Sequence, residues 1–228
     1  MCLRACDCGP VMYILGLTGS IGMGKTTAAA AFRRLGVPVH DADATVHRLM
    51  GPEPRNTGRD TGGSAVAAIA EQFPDCVVDG AVDRQGLGAK VFGDSLSGGG
   101  ALKTLEGILH PLVRAEEQRF LKKSALHGAP LVVLDIPLLF ETGAQERCDA
   151  VAVVSAPDFV QRQRVMARPG MTAEKMASIL SHQMPDAEKR GRADFVIQTG
   201  QGRADALRTI REIVRLVQDR PGAKWPPT

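Results

Sequence analysis

Short apolar runs recur along this chain, separated by longer stretches of helical character. Residues 13–18 (Tyr-Ile-Leu-Gly-Leu-Thr) are apolar almost throughout, the pattern of a parallel strand buried on both faces. The Ala-rich stretch 26–35 favours helix and stops before Gly36. Residues 37–41 predict a second short strand, running out into Asp41-Ala42-Asp43, and 44–50 predict a helix. Further strands are expected at 131–135 (Leu-Val-Val-Leu-Asp), 150–155 and 195–197. Helices are expected at 158–167, at 172–184 with Thr172 as cap, and at 203–217. In the last of these Leu207, Ile210, Val214 and Val217 form one apolar stripe.

Between about 44 and 127 the pattern changes. It predicts helices from Ser64 to about 73, at 85–92, at 102–108 and at 112–126, the last two separated by His110-Pro111. Residues 51–64 read as a loop, 75–83 as a turn region and 95–100 as linker. No strand is evident there, and no internal repeat is found anywhere. The reading is an α/β fold, a parallel sheet flanked by helices, interrupted by a helical region suited to binding a substrate.

The chemistry gathers between the first strand and the first helix. Gly19-Ser20-Ile21-Gly22-Met23-Gly24-Lys25-Thr26 has the spacing G-x-x-x-x-G-K-[ST], the phosphate-binding P-loop. Glycines let the backbone curl so that N–H groups face phosphate oxygens. Lys25 supplies a positive charge to the β/γ-phosphates, Thr26 a hydroxyl to Mg²⁺, and the helix that follows turns its positive end toward the same anion.

The bulk composition narrows the classes. The chain has 228 residues, enough for one large domain or a core with an inserted one. A net charge of +3 and 4% aromatic residues argue against a nucleic-acid binder, which needs a concentrated basic face or a stacking platform. No apolar run reaches membrane-spanning length and the first residues do not read as a secretory signal, so a cytoplasmic location is expected. Of the five cysteines, Cys2, Cys6 and Cys8 crowd into residues 1–11, which read as a disordered leader ahead of Met12; a disulfide framework is not expected.

Two readings stand for several other residues. Asp135, at the tip of a predicted strand, serves Mg²⁺ or caps the next turn. Arg162, Arg164 and Arg168 flank the turn Pro169-Gly170 and read either as a lid over the nucleotide or as solvated surface charges.

With these motifs in order, the chain resembles the bacterial dephospho-CoA kinase family from Met12 to the closing helix. The residues that carry the resemblance are 17–26, Asp41-Ala42-Asp43, Asp83-Arg84 ahead of Val91-Phe92, Leu109-His110-Pro111, Pro137-Leu138-Leu139-Phe140-Glu141, Arg164-x₃-Arg168 and the run from Gln183 through Lys189 to Ile197. Gln198-Thr199-Gly200 stands where the family often has Asn followed by Gly. The resemblance implies a P-loop NTPase fold with residues 12–43 and 128–220 as core, a lid at about 160–190 and a helical CoA-binding region at 44–127. It implies transfer of the ATP γ-phosphoryl group to the ribose 3′-hydroxyl of dephospho-CoA, with Mg²⁺, the last step of coenzyme A synthesis.

Residue by residue, the resemblance carries Asp43, Lys25 and Arg164 to catalysis, with Asp43 as base or orienter of the hydroxyl and a helix cap as its plain alternative. Residues 19–27 (Gly19, Ser20, Ile21, Gly22, Met23, Gly24, Lys25, Thr26, Thr27) and Arg168 fall to ATP. Thr18, Asp43, Arg84, His110, Pro137 and Leu139 fall to the acceptor, where His110 and residues 137–140 read equally as structural. Thr26 and Asp135 fall to the metal. A monomer or weak homo-oligomer is expected, with no membrane or nucleic-acid partner. Another small-molecule kinase, for shikimate, gluconate or a nucleoside, shares the loop and lid but not the Asp-Ala-Asp and His-Pro signatures. An ATP-driven switch is the remaining alternative: Leu96-Ser97-Gly98-Gly99-Gly100 imitates a transporter-ATPase signature, but Ile136 rather than Glu follows Asp135.

Overall fold

The computed structural model describes residues 12–52, 63–93 and 100–226. Residues 1–11 with their three cysteines, expected as a leader, most of the loop expected at 51–64, and 95–99 of the expected linker lie outside the described residues. In chain order the strands are β1 (Tyr13–Thr18), β2 (Val39–Asp41), β3 (Val77–Val78), β4 (Ala81–Val82), β5 (Leu131–Asp135), β6 (Ala150–Ser155) and β7 (Phe195–Gln198). The helices are α1 (Lys25–Arg34), α2 (Ala42–Leu49), α3 (Val66–Gln72), α4 (Arg84–Gly93), α5 (Gly100–Leu126), α6 (Asp158–Met166), α7 (Ala173–Ser181), α8 (Asp186–Gly191) and α9 (Arg203–Val217). They fall into two compact units, one running up to Asp41 and again from Leu121, the other spanning Ala42–Phe120.

The first unit holds one parallel sheet in the order β2-β5-β1-β6-β7. Tyr13 pairs with Leu131 of β5, and Leu15 with Ala150 of β6, so β1 is central. The chain leaves β1 toward β2 on one side and later crosses to β6 on the other. That makes the carboxyl end of β1 a switch point, where open α/β sheets bind ligands. β1, β5 and β6 are buried at every position, which is why they read as unbroken apolar runs. On one face Leu15, Leu17, Val133 and Val154 pack with Phe32 of α1 and Ile210, Ile213 and Val217 of α9. The buried stripe of α9 is Ala206, Ile210, Ile213 and Val217, a small rotation from the expected one, with Leu207 and Val214 at its margin. On the other face Gly16 is needed for close packing: a Cβ there would stand 2.7 Å from Leu139 Cδ1 and 2.8 Å from Cys148 Sγ.

The second unit packs Leu49, Ile69, Phe73, Cys76, Val82, Leu87 and Val91 into its own core. Three expectations are corrected here. Pro111 does not divide two helices; it lies inside the continuous α5. Leu105, Ile108 and Leu109 before it and Leu112 and Val113 after it pack on the same core, and that packing outweighs the one lost backbone hydrogen bond. The turn region at 75–83 contains a small antiparallel hairpin, β3 with β4. Its turn residues Asp79 and Gly80 have φ of 51° and 76°, the left-handed pair that a two-residue hairpin loop requires. Ser64 does not cap α3; Gly63 and Ala65 donate their N–H groups to Arg48 O and Leu49 O, and the helix starts at Val66.

In the first unit Thr172 caps α7 as expected, accepting from Lys175 N. Arg168, however, lies beyond the end of α6, in the turn after it. The short helix α8 was not foreseen.

Candidate phosphate site at the carboxyl end of the central strand

Residues 19–24 make the turn from β1 into α1. Gly22 and Gly24 have φ of 78° and 95°, a conformation strained for any residue with a Cβ. Gly19 is excluded from substitution for a different reason: its Cβ would stand 2.7 Å from Val154 O of β6. Met23 N donates to Ser20 O, closing the turn, and Thr27 and Ala28 donate to Gly24 O. The N–H groups of Lys25 and Thr26, first in the helix, have no intrahelical carbonyl behind them, so they are donors for an anion. Thr26 and Thr27 are exposed at this helix start.

The loop is braced by side chains far away in sequence. Ile21 is held from both sides: its N–H donates to Gln183 Oε1 at 3.1 Å, and its carbonyl accepts from Gln161 Nε2 at 2.8 Å. Thr199 Oγ1 donates to Met23 O at 2.6 Å. Arg164 donates to Thr199 Oγ1 and Thr199 O, at 2.9 and 2.8 Å, and reaches Gly22 O at 3.4 Å. The guanidinium of Arg164 is therefore engaged with the loop and with the turn after β7, while Arg168 is exposed. Gln161 had no place in the sequence reading, and Gln183 and Thr199 stood there only inside longer runs, without a role in holding the loop. A glutamine in a helical stretch looks like any surface residue, and no local pattern marks it.

Asp135 closes β5 and lies in register with Leu17 of β1 and Asp41 of β2. Its Oδ1 accepts from Lys25 Nζ at 2.7 Å. Burial pushes the Asp135 carboxyl above the usual range, only partly opposed by the Lys25 ammonium. Thr18 Oγ1 donates to Pro137 O at 2.8 Å, so Thr18 fixes the start of the loop after β5. In that loop Pro137 is half-buried and Leu138 exposed, but Leu139 is fully buried in the core.

In the second unit, Asp43 is exposed and lies in the first turn of α2, not at its cap as the alternative reading had it. His47, one turn on, shares its face. Exposed Arg84, at the start of α4, brings its Nη1 to 2.9 Å from His47 Nε2. Asp43, His47 and Arg84 thus make one polar surface within this unit, and His47 was missed although its spacing from Asp43 was legible. His110 is exposed on α5, ahead of Pro111. Among the described residues no group of three or more His, Cys, Asp or Glu side chains could hold a metal, and no helix is long and apolar enough to cross a membrane.

The family model and the curated relatives point to one family. The dephospho-CoA kinase family model matches residues 13–205. A dephospho-CoA kinase from Paramagnetospirillum magneticum is 58% identical over 213 residues, 93% of this chain and 94% of the relative. One from Mesorhizobium japonicum is 51% identical over 212 residues, 93% of this chain and all (100%) of the relative. Among solved structures, TT1252 from Thermus thermophilus is 36% identical with a TM-score of 0.76, covering 90% of this chain and 97% of its own. A dephospho-CoA kinase from Campylobacter jejuni shares the fold at 22% identity and a TM-score of 0.58, over 91% of this chain and 98% of its own. The match extends from the first residue of the central strand through the phosphate loop, the arginine segment and the last strand, and the chain therefore belongs to the dephospho-CoA kinase family.

Proposed function

We propose that this chain is a cytoplasmic, Mg²⁺-dependent kinase that transfers the γ-phosphoryl group of ATP to the 3′-hydroxyl of dephospho-CoA. The observation that carries the reading is the Lys25–Asp135 pair at 2.7 Å beside a braced glycine loop, in a chain of this family. Phosphoryl transfer needs positioning and charge neutralisation more than covalent chemistry by the protein. The residues divide accordingly. The N–H groups at the start of α1 and the Lys25 ammonium receive the β/γ-phosphates. Arg164 keeps the loop in shape through Gly22 and Thr199, and Arg168 adds positive charge to the transferring group.

Asp43 orients the acceptor hydroxyl and takes its proton. Arg84, His47 and His110 supply polar contacts to the acceptor, whose binding falls to 44–127, and Pro137 adds an apolar contact. Leu139, expected on the acceptor, is instead fully buried in the core. The donor set fits Mg²⁺: the hydroxyl of Thr26 and the carboxylate of Asp135 are hard oxygens, and so few protein ligands leave the rest of its shell to water and phosphate. When bound, Mg²⁺ would neutralise charge on the β- and γ-phosphates. The protein is proposed to act as a monomer or weak homo-oligomer.

The test is ADP release coupled to dephospho-CoA, set against shikimate, gluconate and nucleosides as acceptors. Turnover confined to dephospho-CoA is the expected result. Preference for another alcohol would reassign the acceptor, and ATP hydrolysis indifferent to any acceptor would remove the kinase reading.

A further inference from the structure

Lys189 of α8 has no exposed surface at all, and its Nζ lies 2.9 Å from Glu141 Oε1. The contact is a buried ion pair. Buried ion pairs rarely add net stability, because desolvation offsets the attraction. A pair of this kind is instead suited to fixing a register.

The surroundings say which register. The same Glu141 oxygen accepts the N–H of Met184 at 2.8 Å. The residue before Met184 is Gln183, whose Oε1 takes the N–H of Ile21 in the phosphate loop. Two residues after Met184, Asp186 accepts from Ser155 Oγ at the end of β6, at 2.8 Å. The stretch from Gln183 to Lys189 runs from just after α7 into α8 and is thus tied to the loop after β5, to the end of β6 and to the phosphate loop.

We propose that Glu141 and Lys189 form a positioning latch: by fixing Met184 they hold Gln183 against Ile21 and so set the phosphate loop for nucleotide. The pair touches no substrate and acts only through Gln183. The proposal rests on the reading of residues 19–26 as an ATP site.

The experiment measures the affinity for ATP by calorimetry, together with thermal unfolding, in the full chain. Gln183→Ala is expected to weaken ATP about five- to tenfold, the scale of one lost hydrogen bond. Lys189→Met is expected to weaken it to a similar degree, and Lys189→Arg, which keeps the charge, to restore it. The double variant Lys189→Met/Gln183→Ala is expected to bind no worse than the weaker single variant, because both act at one contact. Should Lys189→Met fail to fold, Glu141→Gln takes its place in the same cycle. Unchanged ATP affinity in a folded Lys189→Met variant, or losses that multiply in the double variant, would overturn the latch while leaving the ATP site intact. A folded wild-type chain that binds no ATP would overturn the ATP-site reading and the latch with it.

Discussion

The Lys25 ammonium stands 2.7 Å from Asp135 Oδ1, and that carboxylate side chain is only 3% exposed. Each group neutralises the other where neither is well solvated. Lys25→Met therefore has two effects. It removes the charge proposed to face the phosphates, which lowers kcat/KM by about 10²- to 10³-fold if Lys25 stabilises the transferring group. It also leaves a buried carboxylate without its cation, so the Asp135 carboxyl moves further up, as a carbon-13 titration of its side chain would record.

Two carboxyls carry opposite pH dependences. Asp135 is held above the usual range, with burial as the main cause and Lys25 opposing it. A raised carboxyl favours the folded state while protonated, so its contribution to stability declines as pH rises from the unfolded value of 3.8 through the higher folded value. Burial also pushes Glu141 up, but the Lys189 ammonium and the Met184 N–H outweigh it and hold that carboxyl below 4.5. Its contribution is present above 4.5 and is lost as pH falls through the lower folded value. Denaturant midpoints across the acid range should lose the first slope in Asp135→Asn and the second in Glu141→Gln. A slope of the same sign in both wild-type-minus-variant differences would contradict this.

Gly22 and Gly36 separate strain from collision. Both have positive φ, 78° and 81°, but a Cβ on Gly22 would meet Val165 Cγ2 at 2.5 Å, whereas one on Gly36 meets open space. Gly36→Ala should cost about 1–2 kcal/mol from the left-handed backbone alone, leaving ATP affinity unchanged. Gly22→Ala should cost more and weaken ATP as well. Chemical denaturation with calorimetry reads both.

Asp43→Asn tests the proposed proton acceptor. Because Asp43 is in the first turn of α2 rather than at its cap, the amide forfeits only a charge–dipole interaction of about 0.3–1 kcal/mol. Phosphoryl transfer should fall about 10²- to 10⁴-fold with nearly unchanged Tm. Full turnover in this variant would assign the base elsewhere.

What the sequence revealed was local, and what it hid was not. The phosphate loop was legible because its spacing, its apolar run and its helix are contiguous. The braces on that loop were not, since Gln161, Gln183 and Thr199 reach residues 140, 162 and 176 positions away. Lys189 ran against the rule that lysines face water, and only a carboxylate from a distant loop permits its burial. Pro111 was a sound local signal overruled by packing on both its sides. Asp79-Gly80 was a legible hairpin signal obscured by strands of only two residues each. Of the residues proposed for the acceptor side, Arg84 and His110 were named from the family resemblance alone, and Asp43 from the resemblance together with its place at the end of a predicted strand.

The central strand has a consequence for how the chain is made. Tyr13 waits for Leu131 and Leu15 for Ala150 before either finds its neighbour in the sheet. During synthesis on the ribosome the segment that ends in the phosphate loop emerges before every other strand of its sheet, yet its backbone has no ladder until β5, more than a hundred residues later, has followed. High contact order of this kind slows folding and leaves apolar strands open to aggregation in the interval. Translation that stalls before β5 would therefore yield a nascent chain carrying an intact nucleotide signature and no means of using it.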